Sequence, residues 1–387
     1  MELTFKYRIY PNVAQRKTIA KTFGCCRWVY NQTLAKRIKA YENGEKLTHI
    51  NECIKQIAVW KKDEETCWLK DADSMALQQS LRDLDKAYKN FFRNPGKTGF
   101  PKFKSRRNRQ SYRTNNIQIV DKSHVKLPKL GIVKTRISRP HQGRILSATV
   151  KQEPSGKYFV TICCSDVPLK QCAANNTAVG VDIGIKSLLV CSDEQVFENP
   201  KNTKKYEKRL AREQRKLARK KKGSNNRNKQ RIRVARLHEK IANSRNDNIH
   251  KVTSKLTSEN QVVCVEDLNA KGMLSNHKLA RAVSDAAFSE IVRQFEYKCK
   301  LHAGHLQKVN RWFPSSKTCN NCGHVEDEMP LHVRKWKCPV CHTEHDRDVN
   351  AAKNILTEGL RLLSLENGSA GLAQTQTADE LFETLVE

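Results

Sequence analysis

Negative charge is what this sequence is shortest of: its 387 residues carry 40 Asp and Glu against 72 Lys and Arg, a formal charge of +32 at pH 7. A chain so positive repels itself unless a polyanion neutralises it. Most small-metabolite enzymes are thereby excluded, and nucleic acid or an anionic membrane surface is the expected partner. Long apolar runs are also missing. None approaches the roughly 18 residues of a bilayer-spanning helix, and the opening MELTFKYRIYPN lacks the apolar stretch of a signal peptide. Membrane insertion and Sec-type secretion are not expected. Hydrophobic residues, at 38%, fall below the roughly 45–50% of ordinary globular domains, as they would if much surface served a polyanion. The length suggests two or three domains of roughly 100–200 residues each.

Cysteine is not scarce, but its 14 copies are unevenly spread. Cys163, Cys164, Cys191 and Cys264 stand in apolar strand-like runs, where free thiols behave as small hydrophobes. Cys25 and Cys26 are adjacent, which disfavours their pairing. This usage fits a reducing cytoplasm. Cys319-x-x-Cys322 and Cys338-x-x-Cys341 are different. Two such knuckles match the spacing of a zinc ribbon, in which four thiolates hold one tetrahedral ion. A four-thiolate shell leaves no open position, so this zinc would be structural, and the neighbouring His324, His342 and His345 are expected to be non-ligands. Arg311, Trp312, Arg334, Lys335, Trp336 and Lys337 flank the knuckles and suit a nucleic-acid contact.

From Pro11 to about Asn94 the pattern is helical. Leu77, Leu81, Leu84, Tyr88 and Phe91 recur at alternating spacings of four and three, an apolar stripe suited to a bundle core. Its polar face carries Gln78, Gln79, Arg82, Lys86 and Lys89. Asn94, Pro95, Gly96 and Gly99 end the helix. The following GFPKFKSRRNRQSYR sets Phe100, Phe103 and Tyr112 among Lys102, Lys104, Arg106, Arg107, Arg109 and Arg113, a mixture suited to phosphates and unstacked bases. Short alternating runs from Ile117 to Asp166 predict a β meander closing as a small barrel. LTFKYRIY at residues 3–10 alternates likewise, so it could complete that barrel and leave the helices as an insertion.

Residues 171–178 suggest a linker. AVGVDIGIKSLLV then predicts two buried strands about a tight turn at Gly184, and QVVCVED a third. Between them residues 201–236 hold 17 Lys or Arg and two Glu. Such a run needs a nucleic-acid backbone to order it, and Gly223, Asn225 and Asn226 favour two helices over one rod. Arg209, Arg212, Arg215 and Arg219 are its candidate phosphate contacts. A further helix is expected to open near Ser284 and Asp285, and a strand at HLQKVNRWF. DRDVNAAKNILTEGLRLL predicts a helix with acidic residues at its start, before an Ala, Thr, Gln and Glu-rich tail expected to be disordered.

Three carboxylates stand at element ends: Asp182 and Glu266 close apolar strands, and Asp348 opens the late helix. Carboxylates in such settings are costly unless paired or bound to a cation. Three that converge can hold two divalent ions about 4 Å apart for phosphodiester hydrolysis. Magnesium, which prefers carboxylate oxygen, fits. Asp346 and Asp267 are rivals that spacing does not exclude.

VGVDIGIKSLLV, VVCVEDLNAKGM, CNNCGH with CPVC, and HDRDVNAAKNIL, in that order, resemble the TnpB proteins of insertion sequences, relatives of type V CRISPR effectors. The likeness covers roughly residues 1–365. GFPKFKSRR and ALQQSLRDLDKAYKNFF are also similar to that family's N-terminal half. The resemblance implies an α+β multidomain protein. Residues 1–10 and 95–172 would form a wedge-like β-barrel, residues 11–94 a helical recognition domain, residues 176–311 and 346–366 an RNase H-like (RuvC) nuclease domain, and residues 312–345 an inserted zinc ribbon. Residues 367–387 would be the tail. It also implies catalysis by Asp182, Glu266 and Asp348 with magnesium, and structural zinc on Cys319, Cys322, Cys338 and Cys341. A guide RNA from the transposon end would direct cleavage of double-stranded target DNA beside a short transposon-adjacent motif, in a prokaryotic cytoplasm near the nucleoid. Specificity would come from base pairing, and the charge would hold the RNA and heteroduplex. Three other functions compete: a guided DNA-binding regulator without cleavage, a transposase proper and, last, a general basic RNA-binding protein whose carboxylates are structural. Retention of all three acidic residues disfavours the first, and the lack of an obvious Tyr and His-x-His nucleophile arrangement the second.

Overall fold

The computed structural model describes residues 1–45, 49–107, 110–169, 177–330 and 332–369. The chain divides into two compact units, Met1–Pro168 and Leu169–Glu387. Residues 170–176, most of the expected linker, and the tail beyond residue 369 lie outside the described residues, as does Arg109 of the basic segment.

The first unit begins with strand β1 (Leu3–Ile9), followed by helices α1 (Val13–Glu42), α2 (Ile50–Lys62) and α3 (Ser74–Arg93). Strands β2 (Gln110–Thr114), β3 (Gln118–Asp121), β4 (His124–Leu127), β5 (Gly131–Arg136), β6 (Arg144–Gln152) and β7 (Tyr158–Ser165) complete it. The alternation at the N-terminus acts as anticipated. Phe5, Tyr7 and Ile9 point into the core, and β1 pairs antiparallel with β7 and β5, so the three helices are an insertion in one sheet. α1 starts at a capping box in which Asn12 and Gln15 each satisfy the other's backbone N–H. Leu77, Leu81, Leu84 and Tyr88 of α3 are buried, as the stripe requires.

Seven strands run in the order β2-β6-β7-β1-β5-β4-β3. Among the described residues no ladder joins β2 to β3, so backbone pairing does not close the sheet. Alternation specifies which face of a strand is buried, whereas closure depends on tilt and stagger accumulated over all strands. The segment expected to meet phosphates and unstacked bases contains β2. Tyr112 is buried there against Phe23, with ring centroids 5.9 Å apart, and is not available to a base.

The second unit contains β8 (Ala178–Ile183), β9 (Ser187–Cys191), β10 (Val196–Glu198), α4 (Asn202–Ala218), α5 (Asn225–Glu259), β11 (Val262–Glu266), α6 (Ala270–Ser275), α7 (Ala280–Ala286), α8 (Phe288–Leu301) and β12 (His305–Val309). A small hairpin, β13 (Lys335–Lys337) with β14 (Glu344–Asp346), precedes α9 (Arg347–Ser369). The sheet order is β10-β9-β8-β11-β12, antiparallel through β8 and parallel from β8 to β12. Val179, Val181, Val263 and Val265 share a core with Ile249 and Leu256 of α5 and Ile291 and Phe295 of α8. The opposite face, Val262, Cys264 and Val309, packs on Ile355, Leu360 and Leu363 of α9.

Two glycines bring α9 down onto that face. A Cβ at Gly180 would collide with the Ala352 carbonyl oxygen and lie 2.7 Å from Leu356 N, and one at Gly359 would collide with Cys264 Sγ. The expected two-helix reading of residues 201–259 matches α4 and α5, with Gly223 at φ +86° in the turn. The helix expected from Ser284 is instead broken at Ala287 (φ 56°) into α7 and α8. Asp285 is not a helix opener but accepts from Thr203 N at 3.0 Å and from Thr203 Oγ1 at 2.6 Å, which caps α4.

Candidate active site and metal centre

Parallel pairing aligns Val262 with Ala178, Val263 with Val179, Cys264 with Gly180 and Val265 with Val181. Glu266 therefore emerges level with Asp182 on the neighbouring strand. Side chains at equal levels of parallel strands point to the same face. Because Gly180 and Cys264 face α9, so do Asp182 and Glu266, two residues further on. Asp348 lies one turn before Ala352, which covers Gly180, and i, i+4 residues share a helix face. The first turn of α9 thus brings Asp348 to the strand ends. Asp182 feels the charge of the other two. Burial first, then Glu266 and Asp348, push Asp182 up from the ordinary 3.8 to about 7, against the opposing pull of Arg347 and Arg334. Burial also raises Glu266, while Ser315 Oγ, donating to Glu266 Oε1, partly offsets that rise.

The rivals have other roles. Asp267 pairs with Arg311 at 2.5 Å. Asp346 Oδ1 accepts from the backbone N–H groups of Asp348 and Val349 at 3.0 and 3.2 Å, so it caps α9. Asp348 receives Arg334 Nη1, at 3.0 Å to Oδ1 and 3.3 Å to Oδ2. Arg334 had been expected as a flanking nucleic-acid contact. No local pattern marks Arg334 and Ser315 as partners of the acidic residues, because both lie far along the chain from the strands whose ends they approach. One signal was legible: Asn350 and Asn354 are buried polar residues at i, i+4. Asn350 accepts from Asn320 N and donates to Thr318 O at 2.7 Å, and Asn354 donates to Thr318 O at 2.6 Å and Ser315 O at 2.8 Å. They tie the first knuckle to α9.

In the ribbon, the ligand atoms of Cys319, Cys322, Cys338 and Cys341 all lie within 4.8 Å of one another. The three carboxylates do not close into such a cluster among the described residues. The two knuckles repeat one geometry. Cys319 N donates to His324 O and Gly323 N to Cys319 O, while Cys338 N donates to Thr343 O and His342 N to Cys338 O. Gly323 (φ 76°) and His342 (φ 59°) occupy equivalent left-handed positions. Hydrogen bonds with the side chain and backbone of Thr343 hold Cys341 well below the usual thiol range, at about 5. Four convergent sulfurs, one of them disposed to ionise, fit a structural zinc. His345 Nε2 lies 3.0 Å from Cys319 Sγ, a position from which its N–H can donate to that sulfur while the ring packs on Trp336.

Among the candidate nucleic-acid contacts, Lys102, Arg106, Arg107, Arg209, Arg212, Arg215 and Arg219 are exposed. Lys104 is half-buried, with its ammonium 3.9 Å from the Tyr30 ring centroid. Gln78 is half-buried on α3. Gln79 is buried, and its Oε1 accepts from Arg113 Nη2 at 2.7 Å, so it supports Arg113 instead of standing free. Among the described residues no helix is long and apolar enough to cross a membrane.

The second unit is thus a five-stranded mixed sheet that carries acidic residues at its strand ends beside a four-thiolate ribbon. A family model described as "Probable transposase" matches residues 149–277. One described as "Cas12f1-like, TNB domain" matches residues 288–355, and a "Helix-turn-helix domain" model matches residues 1–46. A Streptomyces pristinaespiralis protein named as a candidate RNA-guided DNA endonuclease is 40% identical over 372 residues, covering 94% of this chain and 91% of its own. InsQ of Escherichia coli (strain K12), named likewise, is 35% identical, covering 93% of each chain. A solved Cas12f1 in complex with sgRNA and target DNA shares the fold, with a TM-score of 0.57 at 14% identity over 92% of this chain and 98% of that one. The chain belongs to the TnpB/OrfB family of RNA-guided DNA endonucleases, related to Cas12f.

Proposed function

We propose that this protein is an insertion-sequence endonuclease that cleaves double-stranded DNA chosen by a guide RNA, beside a short transposon-adjacent motif. The observation that carries this reading is the level register of Asp182 and Glu266 on parallel strands beneath the first turn of α9, which bears Asp348. Asp182, Glu266 and Asp348 are the proposed ligands of magnesium, which when bound would activate water and offset charge on the leaving oxygen of a phosphodiester. Hard carboxylate oxygens suit that ion. The residues around it do the rest: Ser315 orients Glu266, Arg334 orients Asp348, and Asp346 fixes the start of the helix that delivers it.

In this reading residues 176–311 and 346–366 form the RNase H-like nuclease domain, and the zinc-bound ribbon supports it. Residues 1–10 and 95–172 form the wedge, whose sheet curls into a barrel, and residues 11–94 the recognition domain. The names of the relatives support RNA and DNA as partners, and the charge of +32 supports a large phosphate surface. Lys102, Lys104, Arg106, Arg107, Arg209, Arg212, Arg215 and Arg219 are proposed phosphate contacts, with Gln78 a candidate base contact and Gln79 acting through Arg113.

The test is to sequence RNA that co-purifies with the protein expressed from its native locus, then to challenge the complex with a plasmid library of targets. A single RNA species ending at the element boundary and magnesium-dependent cuts that vanish in Asp182→Ala are expected. Guided binding without cleavage in the unsubstituted protein would instead indicate a regulator. Strand transfer of transposon ends without RNA would indicate a transposase.

A further inference from the structure

In the first unit, a cleft of about 600 Å³ lies between α1 and the 3₁₀ turn Cys67–Asp71. Trp28 and Trp68 form its walls, with centroids 5.4 Å apart and planes at 75°, so the two rings make a corner. Trp28 is braced from behind by Trp60, at 5.2 Å, and Trp68 Nε1 donates to Glu65 O at 3.0 Å. The corner is therefore preformed, yet Trp68 is 40% exposed. Its floor is Gly24, in the interior of the 30-residue α1.

Glycine is a poor residue for a helix interior. It is usually retained there because another element packs too closely for a side chain. Nothing does so here: a Cβ at Gly24 would meet one atom, Arg27 Nη2, at 4.0 Å. At Gly180 and Gly359 a neighbouring element fills the space a side chain would need, whereas Gly24 lines the cleft beside the aromatic corner. Lys21 and Arg27 also line the cleft. Arg27 reaches Gln110 at 3.2 Å, and Lys21 pairs with Asp71 at 2.9 Å, with both partners more than half exposed. A surface pair of this kind is weak and can yield to a phosphate.

We infer that this cleft takes one unpaired nucleobase, seated over Gly24 and stacked in the Trp28–Trp68 corner, with its phosphate on Lys21 or Arg27. Flat apolar walls with cations beside them suit a splayed base of a single strand, and sequence matters little because every base has a π-face. The inference rests on the nucleic-acid reading above and extends it to a residue-level subsite. The base can come from the guide RNA or from a displaced DNA strand, since both offer the same ring and phosphate.

The experiment compares the full-length protein with Gly24→Leu and Trp68→Ala. Binding of fluorescein-labelled single strands, one series DNA and one RNA, is measured beside strands of equal length with abasic positions. Leucine is a better helix former and has room, so Gly24→Leu should raise Tm while weakening base-bearing strands about ten-fold and abasic strands little. Trp68→Ala should weaken the same strands by a similar factor. Loss confined to the RNA or to the DNA series identifies the source of the base. A lower Tm in Gly24→Leu, or unchanged affinity for base-bearing strands in both variants, overturns the cleft. So does equal wild-type affinity for abasic and base-bearing strands. The endonuclease reading fails separately: base-dependent loss in a protein that never cuts a guided target would leave the cleft standing, and full guided cutting with unchanged affinities would leave only the nuclease.

Discussion

Arg334, from the ribbon, donates through one nitrogen to both carboxylate oxygens of Asp348, on the helix that follows the ribbon. Ser315, from the approach to the first knuckle, likewise donates to Glu266. Two of the three acidic groups are therefore oriented by residues that lie in or beside the four-cysteine ribbon.

Arg334→Gln should separate orientation from stability. The pair is partly exposed, at 45% and 24% of the two side chains, so its loss should cost less than about 1 kcal/mol in unfolding free energy. Cleavage should nevertheless fall roughly ten-fold, because Asp348 loses the contact that holds its rotamer. Calorimetry paired with single-turnover cleavage checks this, and a large drop in Tm would show that Arg334 is chiefly structural.

Zinc removal should act at a distance. Cys338→Ser is expected to lower bound zinc well below one ion per chain and, by loosening the knuckles, to release both Arg334 and Ser315. Guided cutting should be lost although Asp182, Glu266 and Asp348 are intact. Metal analysis alongside a cleavage assay decides it. Full activity in zinc-free protein would show that the ribbon does not support the acidic site.

Asp182 should make the metal-free protein less stable as pH rises. Its folded value of about 7 lies above the ordinary 3.8, so the folded chain holds a proton that the unfolded chain has released between those limits. The associated stability is fully present below about pH 4 and is lost as pH climbs through about 7. With EDTA at about pH 8, Asp182→Asn should be more stable than the unsubstituted protein by roughly 1–3 kcal/mol, and the gap should close only below about pH 4. Magnesium should raise the Tm of the unsubstituted protein at about pH 8 and leave that of Asp182→Asn almost unchanged.

Gly180→Ala tests the seating of α9. The added methyl collides with backbone, which cannot swing away, so α9 must lift from β8. A cost of roughly 1–3 kcal/mol is expected, with loss of cleavage as Asp348 leaves Asp182. Urea unfolding with a cleavage assay reads both, and an alanine variant of unchanged stability and activity would remove the glycine from the account.

Local chemistry made much of this protein legible in advance. Alternation located β1 and the meander, and short apolar runs located β8 and β11. A stripe of leucines located the core of α3, and two Cys-x-x-Cys pairs located the ribbon, because each of these depends on neighbours within a turn or a knuckle. Asp182, Glu266 and Asp348 could be named as candidates since each ends or opens an element. Sequence alone left Asp346 and Asp267 as equals. The fold gives each its own partner, using Asp346 as the cap of α9 and pairing Asp267 with Arg311. It also buried Gln79 beneath Arg113 and Tyr112 against Phe23, and it brought Arg334 to Asp348. Those outcomes depend on strand register and on the descent of α9 onto Gly180. Both are contacts between residues far apart along the chain, set by which packing excludes most water and leaves fewest polar groups unpaired, and no local pattern encodes them.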